Sequence, residues 1–108
     1  MRVARPKIKR VLNMKYPPPR WVFVDVDGTL VQYGVLSMEV VAWIKEARRR
    51  GFRFVLWSAR GQEYARASAE RHEVIGLFEH IISKPGYIID DKGWEWVRYT
   101  KRIWMREM

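Results

Sequence analysis

Apolar and polar positions along the chain fall into alternating short runs and helical stretches. Residues 21–26, WVFVDV, are apolar on both alternating faces, the pattern of a central parallel strand covered on both sides. Met38 to Arg50 places Val40, Val41, Ile44 and Ala47 on one helical face, with Ser37 as N-cap and Gly51 as the stop. Phe52 to Ser58 (FRFVLWS) predicts a second strand, and Gly61 to His72, with Ala65, Ala67 and Ala69, a second helix. His80 to Ser83 and Tyr87 to Asp90 are short β-like runs separated by Lys84-Pro85-Gly86. From Trp94 to Met108 apolar residues recur at Trp94, Val97 and Trp104, and at Tyr99 and Ile103, which predicts a terminal helix. Strands alternating with helices predict an α/β fold on a mainly parallel sheet.

In such a sheet ligands bind beyond the carboxyl ends of the strands. The first apolar run ends at Asp25 and Asp27, the second at Ser58 and Arg60, and the last at Asp90 and Asp91. Lys84 falls in the turn before that last run. Two carboxylates as close as Asp25 and Asp27 repel one another unless a cation or a proton lies between them. Taken singly, each residue has a plainer role: Ser58 a helix cap, Lys84 a solvated charge, Asp90-Asp91 a turn, Arg60 a partner for Glu63 three residues on. Their convergence at three strand ends is what marks a candidate site.

Composition narrows the class. The 108 residues form a single domain by length, 48% apolar and 31% charged, which is globular rather than disordered. With no cysteine, disulfides and thiolate metal sites are excluded, and a cytoplasmic location is the simplest expectation. No apolar stretch approaches the ~20 residues of a membrane span, and no membrane association is expected. The net charge of +9 is uneven: Arg2, Arg5, Lys7, Lys9, Arg10, Lys15 and Arg20 give residues 1–20 a charge of +7 with no acid. Pro17-Pro18-Pro19 cannot continue a helix and separates an arm, 1–19, from a body, 20–108. Such an arm attracts phosphates or nucleic acid by charge, or simply solubilises the chain.

Oxygen donors without His or Cys nearby suit a hard cation such as Mg²⁺. A cation between Asp25 and either Asp90 or Asp91 would relieve the repulsion and neutralise a bound phosphate. Ser58, the backbone N–H groups near Ala59 and a cation such as Lys84 could hold the remaining phosphate oxygens. Asp25 could then attack phosphorus in line, and Asp27 could protonate the departing alkoxide and later activate water.

DVDGTL after an apolar strand, VLWS ending another, a following lysine, and IIDD ending a later run together resemble the haloacid dehalogenase (HAD) superfamily. The resemblance covers about residues 21–93 and takes Asp25 and Asp27, Ser58, Lys84, then Asp90 and Asp91 in order as its four motifs. It implies a Rossmannoid three-layer sandwich, with Asp25 as nucleophile and Asp27 as acid/base. It also implies Mg²⁺ held by Asp25, the backbone carbonyl of Asp27, and an acid of the Asp90-Asp91 pair. An aspartate in the nucleophile position implies phosphoryl transfer, most often phosphatase activity.

The sequence departs from the family in two places. Too few residues separate Lys84 from the next run for the usual crossover of about a dozen, so Lys92 stands as an alternative phosphate-side lysine. No cap domain fits after Asp27, where only a Val31–Leu36 flap precedes the first helix, nor between Ser58 and Ser83. The site is therefore expected to be open, with a bulky substrate or a lid from the arm or a second subunit. WSAR resembles the Ser-x-Arg of polynucleotide 3′-phosphatase domains, which with the basic arm points to nucleic-acid 3′-phosphate ends. A nucleotide or sugar phosphate is the competing substrate class, and a non-catalytic HAD-like module binding nucleic acid or protein is the alternative function.

Overall fold

The computed structural model describes residues 18–108, so the basic arm up to Pro17 lies outside the described residues. Trp21–Asp25 forms β1, Arg53–Ser58 β4 and His80–Ser83 β5, joined in a parallel sheet of order β1-β4-β5. A small antiparallel hairpin of β2 (Val31–Gln32) and β3 (Val35–Leu36) follows β1 and is the expected flap. The helices are α1, Met38–Arg49, and α2, Gln62–Arg71.

The connections explain where the core lies. Both crossovers step in the same direction across the sheet, and right-handed crossovers of that kind place their helices on one face. That face carries Val24, Phe54, Leu56 and Ile81, packed under Val40, Val41, Ile44 and Ala47 of α1 and Ala65 and Ala69 of α2. Trp43 of α1 adds an edge-on contact to Phe54, with ring centroids 6.1 Å apart. Ser37 caps α1 by accepting from the N–H of Val40 at 3.3 Å, and the Arg50 N–H returns to the Ala47 carbonyl. The sheet and the helices on this face are thus two layers of the expected sandwich. The opposite face of the sheet bears Trp21, Phe23 and Trp57, with Trp21 and Phe23 exposed.

Three elements differ from expectation. β1 is an edge strand and β4 is the central one. The apolar run at 21–26 misleads because its second face is aromatic side chain left open to solvent rather than covered. His80–Ser83 is a full sheet strand, paired to Val55–Ser58. Tyr87–Asp90 is not a strand, and Tyr87 and Ile89 project fully into solvent. Only Pro85 and Gly86 lie between Lys84 and the run, which leaves no length for a return crossover, so the run cannot join the sheet in parallel. The predicted terminal helix is instead two 3₁₀ segments, Gly93–Tyr99 and Met105–Glu107. Gly93–Tyr99 buries no residue, so its aromatic repeat lacks the packed face that stabilises a helix. Among the described residues no helix is long and apolar enough to cross a membrane.

Candidate active site

The site forms where β1, β4 and β5 end side by side. After Asp25 the chain turns sharply: Leu30 N–H donates to the Asp25 carbonyl at 3.2 Å, and Val31 N–H to the Val26 carbonyl at 3.0 Å. Gly28 sits at φ +83°, a left-handed conformation that side chains disfavour, and donates to the Val31 carbonyl at 2.9 Å. On this closed turn Asp25 and Asp27 meet different partners. Thr29 Oγ1 lies 3.5 Å from Asp25 Oδ2.

Asp25 meets Lys84, whose Nζ is 3.1 Å from Oδ1. Lys84 is placed by its backbone: its N–H donates to the Ser58 carbonyl at 2.9 Å, tying the end of β5 to the end of β4. Ser58 is only 3% exposed, and its Oγ accepts from the Arg60 N–H at 3.0 Å. Its hydroxyl shapes the turn that carries Ala59 and Arg60, both exposed.

Asp27 is held by two side chains. Arg60 Nη1 lies 3.6 Å from Oδ2, rather than pairing with Glu63, and Tyr64 donates its phenol to Oδ1 at 2.6 Å. The Arg60 guanidinium also covers the Tyr64 ring at 3.8 Å. The hydrogen bond to Asp27 is the main reason that the Tyr64 phenol titrates above its ordinary value. Tyr64 was absent from the sequence-derived set. The available signal was its place in the first turn of the helix following Ser58, a turn that faces the strand ends.

Asp25, Asp27, Ser58, Arg60 and Lys84 therefore converge, with Ala59 on the same turn. Asp90 and Asp91 do not join Asp25 and Asp27. Among the described residues no group of three or more acids or histidines is placed to hold a cation. Asp90 instead accepts from the Lys92 N–H at 2.8 Å, closing a local turn. The donors have the right chemistry for Mg²⁺, but Asp25 and Asp27 are only two, and each faces a basic side chain. As placed, the residues do not fit a Mg²⁺ site.

The model of the haloacid dehalogenase-like hydrolase family matches residues 22–105, nearly the whole of the described chain. The chain belongs to this family. Comparison with curated proteins and with solved structures gave no match. For a haloacid dehalogenase-like hydrolase the chain is spare. A two-stranded flap is all that lies between the first motif and α1, and among the described residues no capping sheet covers the site.

Proposed function

We propose that the protein is a phosphomonoesterase working through an aspartyl-phosphate on Asp25. The observation that carries this reading is the Lys84 ammonium 3.1 Å from Asp25 Oδ1, at the C-terminal edge of a parallel sheet in a chain of this hydrolase family. Lys84 neutralises the carboxylate in the free protein and offers its charge to a phosphate oxygen once substrate lies against Asp25. The exposed turn at Ala59 and Arg60 adds a backbone N–H and a guanidinium on the neighbouring strand end.

In the first step an Asp25 oxygen bonds to phosphorus as the ester P–O bond breaks, and the leaving alkoxide takes a proton from protonated Asp27. In the second step Asp27, now a carboxylate, takes a proton from water. The resulting hydroxide attacks phosphorus, phosphate departs, and Asp25 is restored. Arg60 and Tyr64 orient the Asp27 carboxylate, the form that takes the proton from water in the second step.

The family resemblance adds Mg²⁺, with Asp90 and Asp91 as further ligands, and we retain that as part of the proposal without deriving any step through the ion. Asp90 lies six positions beyond Lys84, and an extended run of that length reaches about 20 Å.

The test is phosphate release from a broad set of monoesters, with Mg²⁺ and with EDTA. Wild type should turn over at least one ester, and Asp25→Asn should lose about a thousandfold or more of that rate. Unchanged turnover in Asp25→Asn contradicts the mechanism, and no turnover by wild type supports the non-catalytic binding module.

A further inference from the structure

The surface beside Asp25 assigns a class of substrate, an inference that rests on the phosphoryl-transfer reading above. An open cleft of about 1140 Å³ runs along β1, with Pro18 and Pro19 lining one end and Asp25 and Thr29 the other. It is larger than the roughly 300–1,000 Å³ that usually holds a small ligand. It straddles the edge of β1: Val40, Trp43 and Ile44 line it from the helix-covered face, and on the outer face its wall is aromatic. Alternation along β1 puts Trp21, Phe23 and Asp25 on one face of the sheet, and the register sets Trp57 opposite Asp25. Phe23 and Trp57 meet with ring centroids 4.8 Å apart, yet Phe23 remains 46% exposed. Trp96, 36% exposed, lines the cleft from the C-terminal segment.

Cations accompany the rings. Lys84 Nζ stands 5.8 Å above the Trp57 ring while contacting Asp25, so one ammonium marks both the reacting end and the aromatic wall. Arg20 and Lys101 line the cleft as well. Trp43 also lines it, and its buried Nε1–H has no acceptor among the described residues.

A sugar phosphate offers one small ring, which occupies only a fraction of a cleft that carries aromatic side chains along its length. A nucleobase presents two π faces, which such a wall stacks without regard to sequence. A mononucleotide carries a single phosphate, which Lys84 can meet alone. The further cations, on a chain of net charge +9, suit the phosphodiesters of a longer strand. We propose that the cleft stacks the terminal bases of a single-stranded nucleic acid whose end phosphate lies at Asp25. Phe23, Trp57 and Trp96 supply the stacking surfaces, and Arg20 and Lys101 meet the backbone.

The test is fluorescence polarisation with the full-length chain and two labelled strands of about ten nucleotides, each carrying a 3′-phosphate. One strand bears bases and the other is abasic, with the same number of phosphates. Charge alone binds the two equally, whereas stacking favours the first. The abasic strand should bind at least about tenfold more weakly. Phe23→Leu and Trp96→Leu, on separate elements and each checked for folding by circular dichroism, should each narrow that gap several-fold. Equal affinity of wild type for the two strands overturns the proposal, as does a gap that persists in both variants. Strand binding is read without turnover, so a failure of the phosphatase reading appears only in phosphate release and is not mistaken for a failure of the cleft.

Discussion

The strand ends of β1, β4 and β5 and the run from Pro85 to Met108 both carry charged and aromatic residues, but they are held very differently. In the first region each functional side chain leaves from a hydrogen-bonded element. Asp25 ends a strand, Asp27 sits in a turn closed by Gly28, and Lys84 is fixed through the Ser58 carbonyl. In the second region Asp90, Asp91 and Lys92 lie in a local turn, and the 3₁₀ segment after them buries nothing. A motif residue is positioned by the element beneath it, and where the packed element is missing the motif stands apart from its partners.

Several substitutions test that contrast. Lys84→Met should lower kcat about a hundredfold, because it removes the cation nearest the proposed nucleophile. Steady-state phosphate release measures this, and a loss below about threefold would place the phosphate-side charge elsewhere, with Lys92 the next candidate. In stability the two regions should diverge sharply. Ile44→Ala empties a fully buried position between helix and sheet and should cost about 2–5 kcal/mol. Trp94→Ala, at a position 66% exposed, should stay within about 0.5 kcal/mol. Urea denaturation followed by circular dichroism compares them, and equal losses would show that the C-terminal segment is packed as firmly as the body.

The joint Asp90→Asn, Asp91→Asn variant addresses the proposed metal. If residues 85–91 bring these acids to Asp25, stimulation by Mg²⁺ should fall about tenfold or more. An unchanged Mg²⁺ response would keep the pair where the structure has it, outside the strand-end cluster. The smallest effect concerns Tyr64. Its phenol is raised above 10, mainly by its hydrogen bond to Asp27, so the bond is complete below the ordinary phenol value and is lost only as pH rises through the higher one. Ultraviolet titration of the phenols should show one group shifted up, and Asp27→Asn should return it toward the ordinary range. No difference between the two titrations would remove Tyr64 from the support of Asp27.

Much of the body was legible in the sequence because its signals are local. Ser37 before a helical apolar face, Gly51 after it, and DVDGTL after an apolar run each act within a few residues. The α/β order followed from their alternation. What escaped was set by packing. The apolar residues of β1 read as doubly covered, but Trp21 and Phe23 face outward, and only the strand order shows that β4 holds the centre. The repeat from Trp94 to Met108 read as a helix, yet Gly93–Tyr99 buries no residue, while Ile103 and Met108 pack against the core from irregular chain beyond it. Asp25, Asp27, Ser58 and Arg60 were read from strand ends and Lys84 from the turn before the last run, and the five lie together. Tyr64 required knowing that the first turn of α2 reaches back to Asp27 across 37 residues.

The central claim is that Asp25 takes the phosphoryl group. Rapid-quench mass spectrometry of the protein during turnover of a good ester tests it most directly. One phosphoryl adduct should appear on the peptide containing Asp25, and hydroxylamine treatment should remove it as expected for an acyl phosphate. Turnover without an adduct on that peptide, or an adduct that persists in Asp25→Asn, would contradict the account.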